Sequence, residues 1–223
     1  MIGLTVEIEH CPDGVELVDL PEVEDGSFAL GVVVSYAART VFRYRSNRIE
    51  PKDLTVESLE NSVLMQFVNA ADDKRRLRFF ERFGLLDAPL LRRDGMWEIR
   101  RDVVLKAQSV LRGNLLGGLN QFEPDRRMQA INLILRNNPQ CNFHPIFHLA
   151  EPRRDPQLLL KSGTLFGFML LEMAMIVAHG VRVAECDKCK NVFLTGPFTG
   201  HRSSARFCSD KCRVAAMRAR KAM

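Results

Sequence analysis

Three observations predict an α+β fold for this chain of 223 residues. Apolar and polar residues alternate near the N-terminus, helical periodicity takes over from about residue 56, and the last 38 residues carry two close cysteine pairs. The expected architecture is a β-rich acidic N-terminal segment (1–55), a mainly helical core (56–182) and a four-cysteine module (183–223). With 46% of its residues apolar, the chain has the material for a buried core.

In the first segment Leu4, Val6 and Ile8 alternate with Thr5, Glu7 and Glu9, the period of a half-buried strand. A Cys-Pro-Asp-Gly turn at 11–14 leads into a second strand over 14–18. An apolar run from Phe28 to Ser35 follows, then Arg39, Arg43, Arg45 and Arg48, which read as a solvated strand or hairpin face.

Helical spacing begins after Pro51. Thr55 is the expected N-cap of a helix over 56–70, with Leu59, Val63, Leu64, Phe67 and Val68 on one face. Asp72 and Asp73 open a second helix that carries Leu77, Phe79, Phe80 and Phe83 to a stop at Gly84. A long helix is expected over 97–120, and another over 124–137, opened by Pro124 in its first turn. Residues 140–162 break the period and read as a β-hairpin, with Phe143, Ile146, Phe147 and Leu149 on one arm and residues 158–160 on the other. A buried apolar helix is expected over 163–179, with Gly180 as its C-cap. Its apolar run, which contains Glu172, falls short of the roughly 20 residues that span a bilayer, so no membrane partner is expected.

The cysteines are the most specific signal. Cys186, Cys189, Cys208 and Cys212 fall as C-x2-C, a gap of 18 residues, and C-x3-C. Each pair supplies two thiolates from one tight turn, and the gap lets the pairs meet, which is the ligand pattern of a tetrahedral Zn2+ ion. Residues 191–194 and 205–207 read as two strands of a hairpin. Ser209 reads as the N-cap of a helix over 210–221 whose first turn holds Cys212. Knuckle, hairpin and helix in that order predict a treble-clef-like zinc finger. Val214 and Met217 are expected to pack inward. Cys11 and Cys141 are isolated and read as small apolar fillers.

The N-terminus lacks the basic and apolar regions of a signal peptide, so a cytoplasmic location with reduced thiols is expected. Two disulfides in a secreted protein would be the other use of four cysteines, and the compartment disfavours it.

Charge is distributed as a gradient. Residues 1–60 carry a net charge of −7, residues 61–185 carry +5, and residues 186–223 carry +7. Four thiolates around one zinc ion lower the last figure by two. The candidate nucleic-acid contacts are Lys188, Lys190, Arg202, Arg206, Lys211, Arg213, Arg218, Arg220 and Lys221. His201 lies among them as a further phosphate or hydrogen-bond contact.

No catalytic constellation is expected. His144, His148 and Glu151 resemble a metal-hydrolase pattern, but Pro145 opposes the helix that pattern needs and the internal Glu is missing. No nucleophile elbow, P-loop or dinucleotide fingerprint is present.

Two stretches carry a family resemblance. Cys186-Asp187-Lys188-Cys189, Phe193, the run from Arg206 to Arg213, and Met217-Arg218-Ala219-Arg220 resemble the C-terminal finger of CGNR-type zinc-finger proteins. Upstream, the run from Leu64 to Asn69 and that from Leu77 to Leu86 resemble the ABATE-type domain those proteins carry. The tetrapeptide that names the family falls at Cys212-Arg213-Val214-Ala215, without its Gly and Asn, and the second cysteine pair is one residue closer. The resemblance covers about residues 60–223 and implies a bacterial transcription regulator whose N-terminal domain senses a small-molecule ligand or a partner.

The expected function is therefore that of a non-enzymatic, zinc-finger DNA-binding protein. The competing reading is a protein-interaction or regulatory module, in which the finger staples the C-terminus and the apolar helices form a homodimer.

Overall fold

A computed structural model describes residues 3–21, 23–25, 34–36, 39–55, 59, 62–86, 91–93, 96–118, 124–137, 143–148, 157–162, 164–197 and 199–221. The expectations for residues 28–33, Cys141, Leu149, Glu151 and the loop at 152–156 lie outside the described residues.

The fold is α+β. The N-terminal part contributes β1 (Gly3–His10), β2 (Val15–Leu20), β3 (Val23–Asp25), β4 (Val34–Tyr36), β5 (Arg39–Tyr44) and β6 (Glu50–Thr55). The turn at Cys11 closes as expected: the Gly14 N–H bonds the Cys11 carbonyl at 3.0 Å, with Gly14 at φ 89°. Three of the four arginines singled out in this part are taken by carboxylates, and Arg45 is exposed. Arg39 meets the buried Glu98 at 3.4 Å, Arg43 bonds Glu16 at 2.7 Å, and Arg48 pairs with Glu50.

Two expected helix starts are corrected. Thr55 ends β6, where it pairs with Thr5, and the first helix, α1 (Val63–Val68), is capped by Ser62, whose hydroxyl accepts the Met65 N–H at 3.2 Å. Residues 56–58, 60 and 61 lie outside the described residues. The second helix, α2 (Asp73–Phe83), is capped by Asp72 and stopped at Gly84, as its sequence predicts. After β7 (Leu91–Arg93), Met96–Arg100 forms strand β8, not the start of a helix. It pairs with β5, so that Ile99 lies opposite Phe42, and α3 (Arg101–Gly113) starts only after it. A π-helical turn, Asn114–Gly118, extends α3.

The chain continues through α4 (Pro124–Asn137) to β9 (Phe143–His148) and β10 (Gln157–Ser162), the expected antiparallel hairpin. The apolar helix is α5 (Leu165–Ala178), capped by Thr164 and followed by Gly180 at φ 65°. Among the described residues no helix is long and apolar enough to cross a membrane.

Distant segments complete each sheet. One four-stranded sheet runs β6-β1-β10-β9, with β1 parallel to β10, and the other runs β2-β5-β8-β7. Their buried residues join the helices in one hydrophobic core, where Phe42 meets Phe80 edge-on at 4.9 Å and Phe67 meets Phe79 at 5.1 Å. Cys11 belongs to this core, as expected of a small apolar filler, with its sulfur 3.4 Å from the Ser46 hydroxyl. Side chains from the N-terminal strands also finish α2: Lys52 donates to the Arg82 carbonyl at 2.8 Å, and the His10 ring lies 2.9 Å from the Glu81 carbonyl. A cation at a helix C-terminus suits the dipole as well as the free carbonyls.

The residue that organises the helices is Glu172, fully buried inside α5. Its two carboxylate oxygens accept the Val63 N–H at 3.0 Å and the Leu64 N–H at 2.7 Å, two of the donors that open α1. Burial pushes this carboxyl up to about 7, against the opposing pull of the two N–H groups.

The folded chain therefore takes up the Glu172 proton before the unfolded chain does, and the cost of burying the charge is relieved as pH falls from about 7 toward 4.5. Urea denaturation of the wild type and of Glu172→Gln, which does not titrate, should diverge in that window. The difference is expected to move in favour of the wild type by up to ~3 kcal/mol. A difference independent of pH would contradict this account.

Candidate metal centre

The candidate metal centre is built on a strand pair. Val181 follows Gly180 into β11 (Arg182–Glu185), which pairs antiparallel with β12 (Val192–Thr195), Val183 opposite Leu194 and Glu185 opposite Val192. The expected hairpin is therefore placed differently. Residues 192–195 pair backward with residues 182–185, just before the first cysteine pair, and residues 205–207 form no strand. The first cysteine pair lies in the turn of this hairpin. The Cys186 N–H bonds the Asn191 carbonyl at 2.8 Å, and the Lys190 N–H bonds the Cys186 carbonyl at 3.0 Å. Lys190 takes a left-handed conformation, φ 63°, at the exit of the turn.

The hairpin is docked on the helices. The Asn69 side chain, at the end of α1, donates to the Val192 carbonyl at 2.8 Å and accepts the Val192 N–H at 2.7 Å. Arg112 of α3 reaches the Glu185 carboxylate at 2.7 Å and the Lys190 carbonyl at 2.6 Å. Val183, Val192 and Leu194 complete the contact inside the main hydrophobic core.

The second pair comes from the start of α6 (Asp210–Lys221). Ser209 acts as its cap, accepting the Cys212 N–H on its hydroxyl at 3.3 Å and the Arg213 N–H on its carbonyl at 3.1 Å. Arg206 clamps this segment onto the first turn: its carbonyl accepts the Asp187 N–H at 3.0 Å, and its guanidinium bonds the Asp187 carboxylate at 2.7 Å.

These contacts bring together all four predicted ligands. The sulfurs of Cys186, Cys189, Cys208 and Cys212 lie within 4.8 Å of one another, with Cys189 and Cys208 3.5 Å apart and Cys208 and Cys212 3.7 Å apart. Four thiolates at metal–sulfur bonds of about 2.3 Å stand about 3.8 Å apart around a tetrahedral ion, so the cluster fits a metal ion. Without a cation the four groups interfere. Burial, then the neighbouring thiols, push Cys208 up to about 12. Burial also raises Cys186, but the backbone N–H groups of Cys189, Cys208 and Lys188 outweigh it and draw this thiol down to about 6. A divalent ion is what would let all four ionise together.

His201 is not part of the cluster. Its ring packs edge-on against Phe193 at 5.3 Å, and its carbonyl accepts the Gly196 N–H at 2.9 Å. His144 and His148 lie on strand β9, where four residues of rise separate their α-carbons by about 13 Å. The helix face on which a hydrolase would present both imidazoles is not there.

The predicted nucleic-acid contacts divide into two sets. Arg206 is committed to Asp187, Arg213 bonds Asp210 at 3.0 Å, and Lys190 meets Glu185 at 3.5 Å. Lys188, Arg202, Lys211, Arg218 and Arg220 are exposed, with no carboxylate partner among the described residues. The side chain of Lys221 lies outside the described residues. Val214 and Met217 do not pack inward as expected: they are 37% and 51% exposed. Every described side chain of α6 is exposed or half-buried, so this helix is held by its cysteine end and not by an apolar face.

Sequence reasoning missed Asn69, Arg112 and the Arg206–Asp187 clamp, because each joins residues far apart in the chain. No protein-family model, curated protein or solved structure matches the chain.

Elemental analysis of the purified protein should find one divalent metal ion per chain. Cys186→Ser or Cys208→Ser should reduce that content to near zero, whereas Cys11→Ser, in the core, should leave it unchanged.

Proposed function

We propose that Cys186, Cys189, Cys208 and Cys212 hold one zinc ion, and that the resulting module is the DNA-contacting end of a transcription-regulatory protein. Four soft thiolates in a closed tetrahedron are the donor set of structural zinc. When bound, zinc supplies the charge that keeps four crowded sulfurs ionised, and it joins the docked hairpin to α6. Four protein ligands leave no open position for a substrate water, so the reading is non-enzymatic.

One observation carries the DNA reading: five exposed cations, Lys188, Arg202, Lys211, Arg218 and Arg220, stand on the module without carboxylate partners among the described residues. Helical spacing puts Lys211 and Arg218 on one face of α6, and Arg213 and Arg220 on another. A rigid helix presenting guanidinium groups to solvent suits contact with a phosphate backbone. The resemblance to CGNR-type proteins agrees with this reading and makes the preceding helical part the sensor of a ligand or partner.

A second reading follows from Val214 and Met217, two exposed apolar residues on the same helix. An apolar pair facing solvent suits a protein partner, with the metal as a staple.

Duplex DNA of random sequence, titrated at 50 and 200 mM salt, separates the two readings. Binding should weaken as salt rises, and Lys211→Ala with Arg218→Ala should lower the salt slope by roughly two. Absent or salt-independent binding at 50 mM overturns the DNA reading. A complex with a defined protein that Met217→Asp abolishes supports the second.

A further inference from the structure

A second basic surface lies outside the metal module, in a cleft of about 270 Å³ between α1 and α2. Arg75, Arg78 and Arg82 line one side and Gln66 and Asn69 the other, over a floor that includes the buried Phe83. The arginines follow the spacing i, i+3, i+7, so all three project from one face of α2.

These guanidinium groups are not committed to the fold as their neighbour is. Arg76 is buried and fully engaged, bonding Gln108 and Asp73 at 2.7 Å each and the Ala71 carbonyl at 3.2 Å. By contrast, Arg75 has only an exposed pairing with Asp72 at 3.3 Å, and Arg82 only a 3.3 Å bond to Gln66 and a stacked position 5.0 Å from the centre of the Phe83 ring. Arg78 is exposed and has no partner among the described residues. Like charges at helical i+3 and i+4 spacing repel one another, so this row is unfavourable by itself and is relieved by an anion.

The two contacts of Arg82 hold its fork at the cleft, and the apolar floor lowers the local dielectric, which strengthens attraction to a bound anion. Planar forks match the oxygens of a phosphate group in pairs. The cleft also adjoins the metal module: Asn69 on its rim holds Val192, two residues beyond Lys190.

We propose that the Arg75, Arg78 and Arg82 cleft is a phosphate-binding site, serving either the nucleic-acid backbone that the metal module contacts or a small phosphorylated ligand. The first source rests on the DNA reading given above; the second does not.

The test uses the full-length, metal-loaded chain and two exposed positions, as Arg75→Ala with Arg78→Ala. Lys106→Ala with Arg136→Ala serves as a control that removes the same charge from exposed sites on α3 and α4. Metal content and thermal midpoint confirm that each variant is folded. One arm titrates inorganic tripolyphosphate by calorimetry, and the other measures duplex DNA affinity against salt.

For a small-ligand site, the cleft variant should bind tripolyphosphate at least tenfold more weakly, with the control unchanged. For a nucleic-acid site, its DNA salt slope should fall by roughly two relative to the control. If the wild type binds tripolyphosphate through the cleft but binds no DNA, the cleft stands and the DNA reading falls. If neither arm separates the cleft variant from the control, the proposal is overturned, whatever the metal module does with DNA.

Discussion

The Glu172 carboxylate, buried in the middle of the most apolar helix, is the contact on which the rest of the arrangement depends. Helix α1 has six residues, far fewer than the ~12–15 at which an isolated helix becomes even marginally stable in water. Its ends are held from elsewhere. Glu172 and Ser62 take three N–H groups at its start, and the Gln108 side chain of α3 donates to the Phe67 and Ala70 carbonyls at its end. Because α1 is fixed at both ends, Asn69 can hold β12 with two hydrogen bonds, and the hairpin that carries Cys186 and Cys189 is fixed to the core in turn. A buried charge in an apolar helix is costly, and here the return is the position of a helix that could not form alone.

The arginines of this chain are sorted by what they already touch. Arg39, Arg43, Arg76, Arg112 and Arg206 each satisfy a carboxylate, a carbonyl or a side-chain amide oxygen that joins two separated segments, so their charge is spent within the fold. Arg78, Arg218 and Arg220 are exposed and have no hydrogen-bond or ion-pair partner among the described residues. Composition alone treats all eight alike. The basic character of the C-terminal module is thus smaller in effect than its net charge, and that of α2 is larger than its sequence suggests, since three of its four arginines face one cleft.

The cysteine cluster and α6 were legible in the sequence because their determinants are local: C-x2-C and C-x3-C spacing, and a Ser209 cap one turn before Arg213. Helices α2 and α4 were legible for the same reason, from Asp72, Gly84 and Pro124. Most of the errors involve pairing at a distance. Met96–Arg100 read as the first turn of a helix because its apolar residues run into the α3 pattern; its strand form is set by β5, more than fifty residues earlier. Residues 182–185 are not expected as a strand, because only their pairing with β12 makes them one. The inward packing expected of Val214 and Met217 followed the rule that helices bury an apolar stripe, and the rule fails here because the thiolate cluster anchors α6 in place of a hydrophobic contact.

That anchoring defines what the metal would do. The hairpin β11–β12 belongs to the main core through Val183, Val192 and Leu194, and it is bonded to Asn69 and Arg112, so it does not need a metal ion to stay in place. Helix α6 has less support: its described side chains are exposed or half-buried, and among the described residues the four sulfurs and the Arg206–Asp187 clamp link it to the hairpin. A surface ion pair and one backbone hydrogen bond are too weak to fix a helix of 12 residues against its lost conformational freedom. A bound ion's contribution would therefore fall on one joint, between a hairpin already docked and a helix with little other support. This would be a narrower role than in small zinc fingers that are unfolded without metal, and it would place the basic helix, not the core, under the control of thiol chemistry.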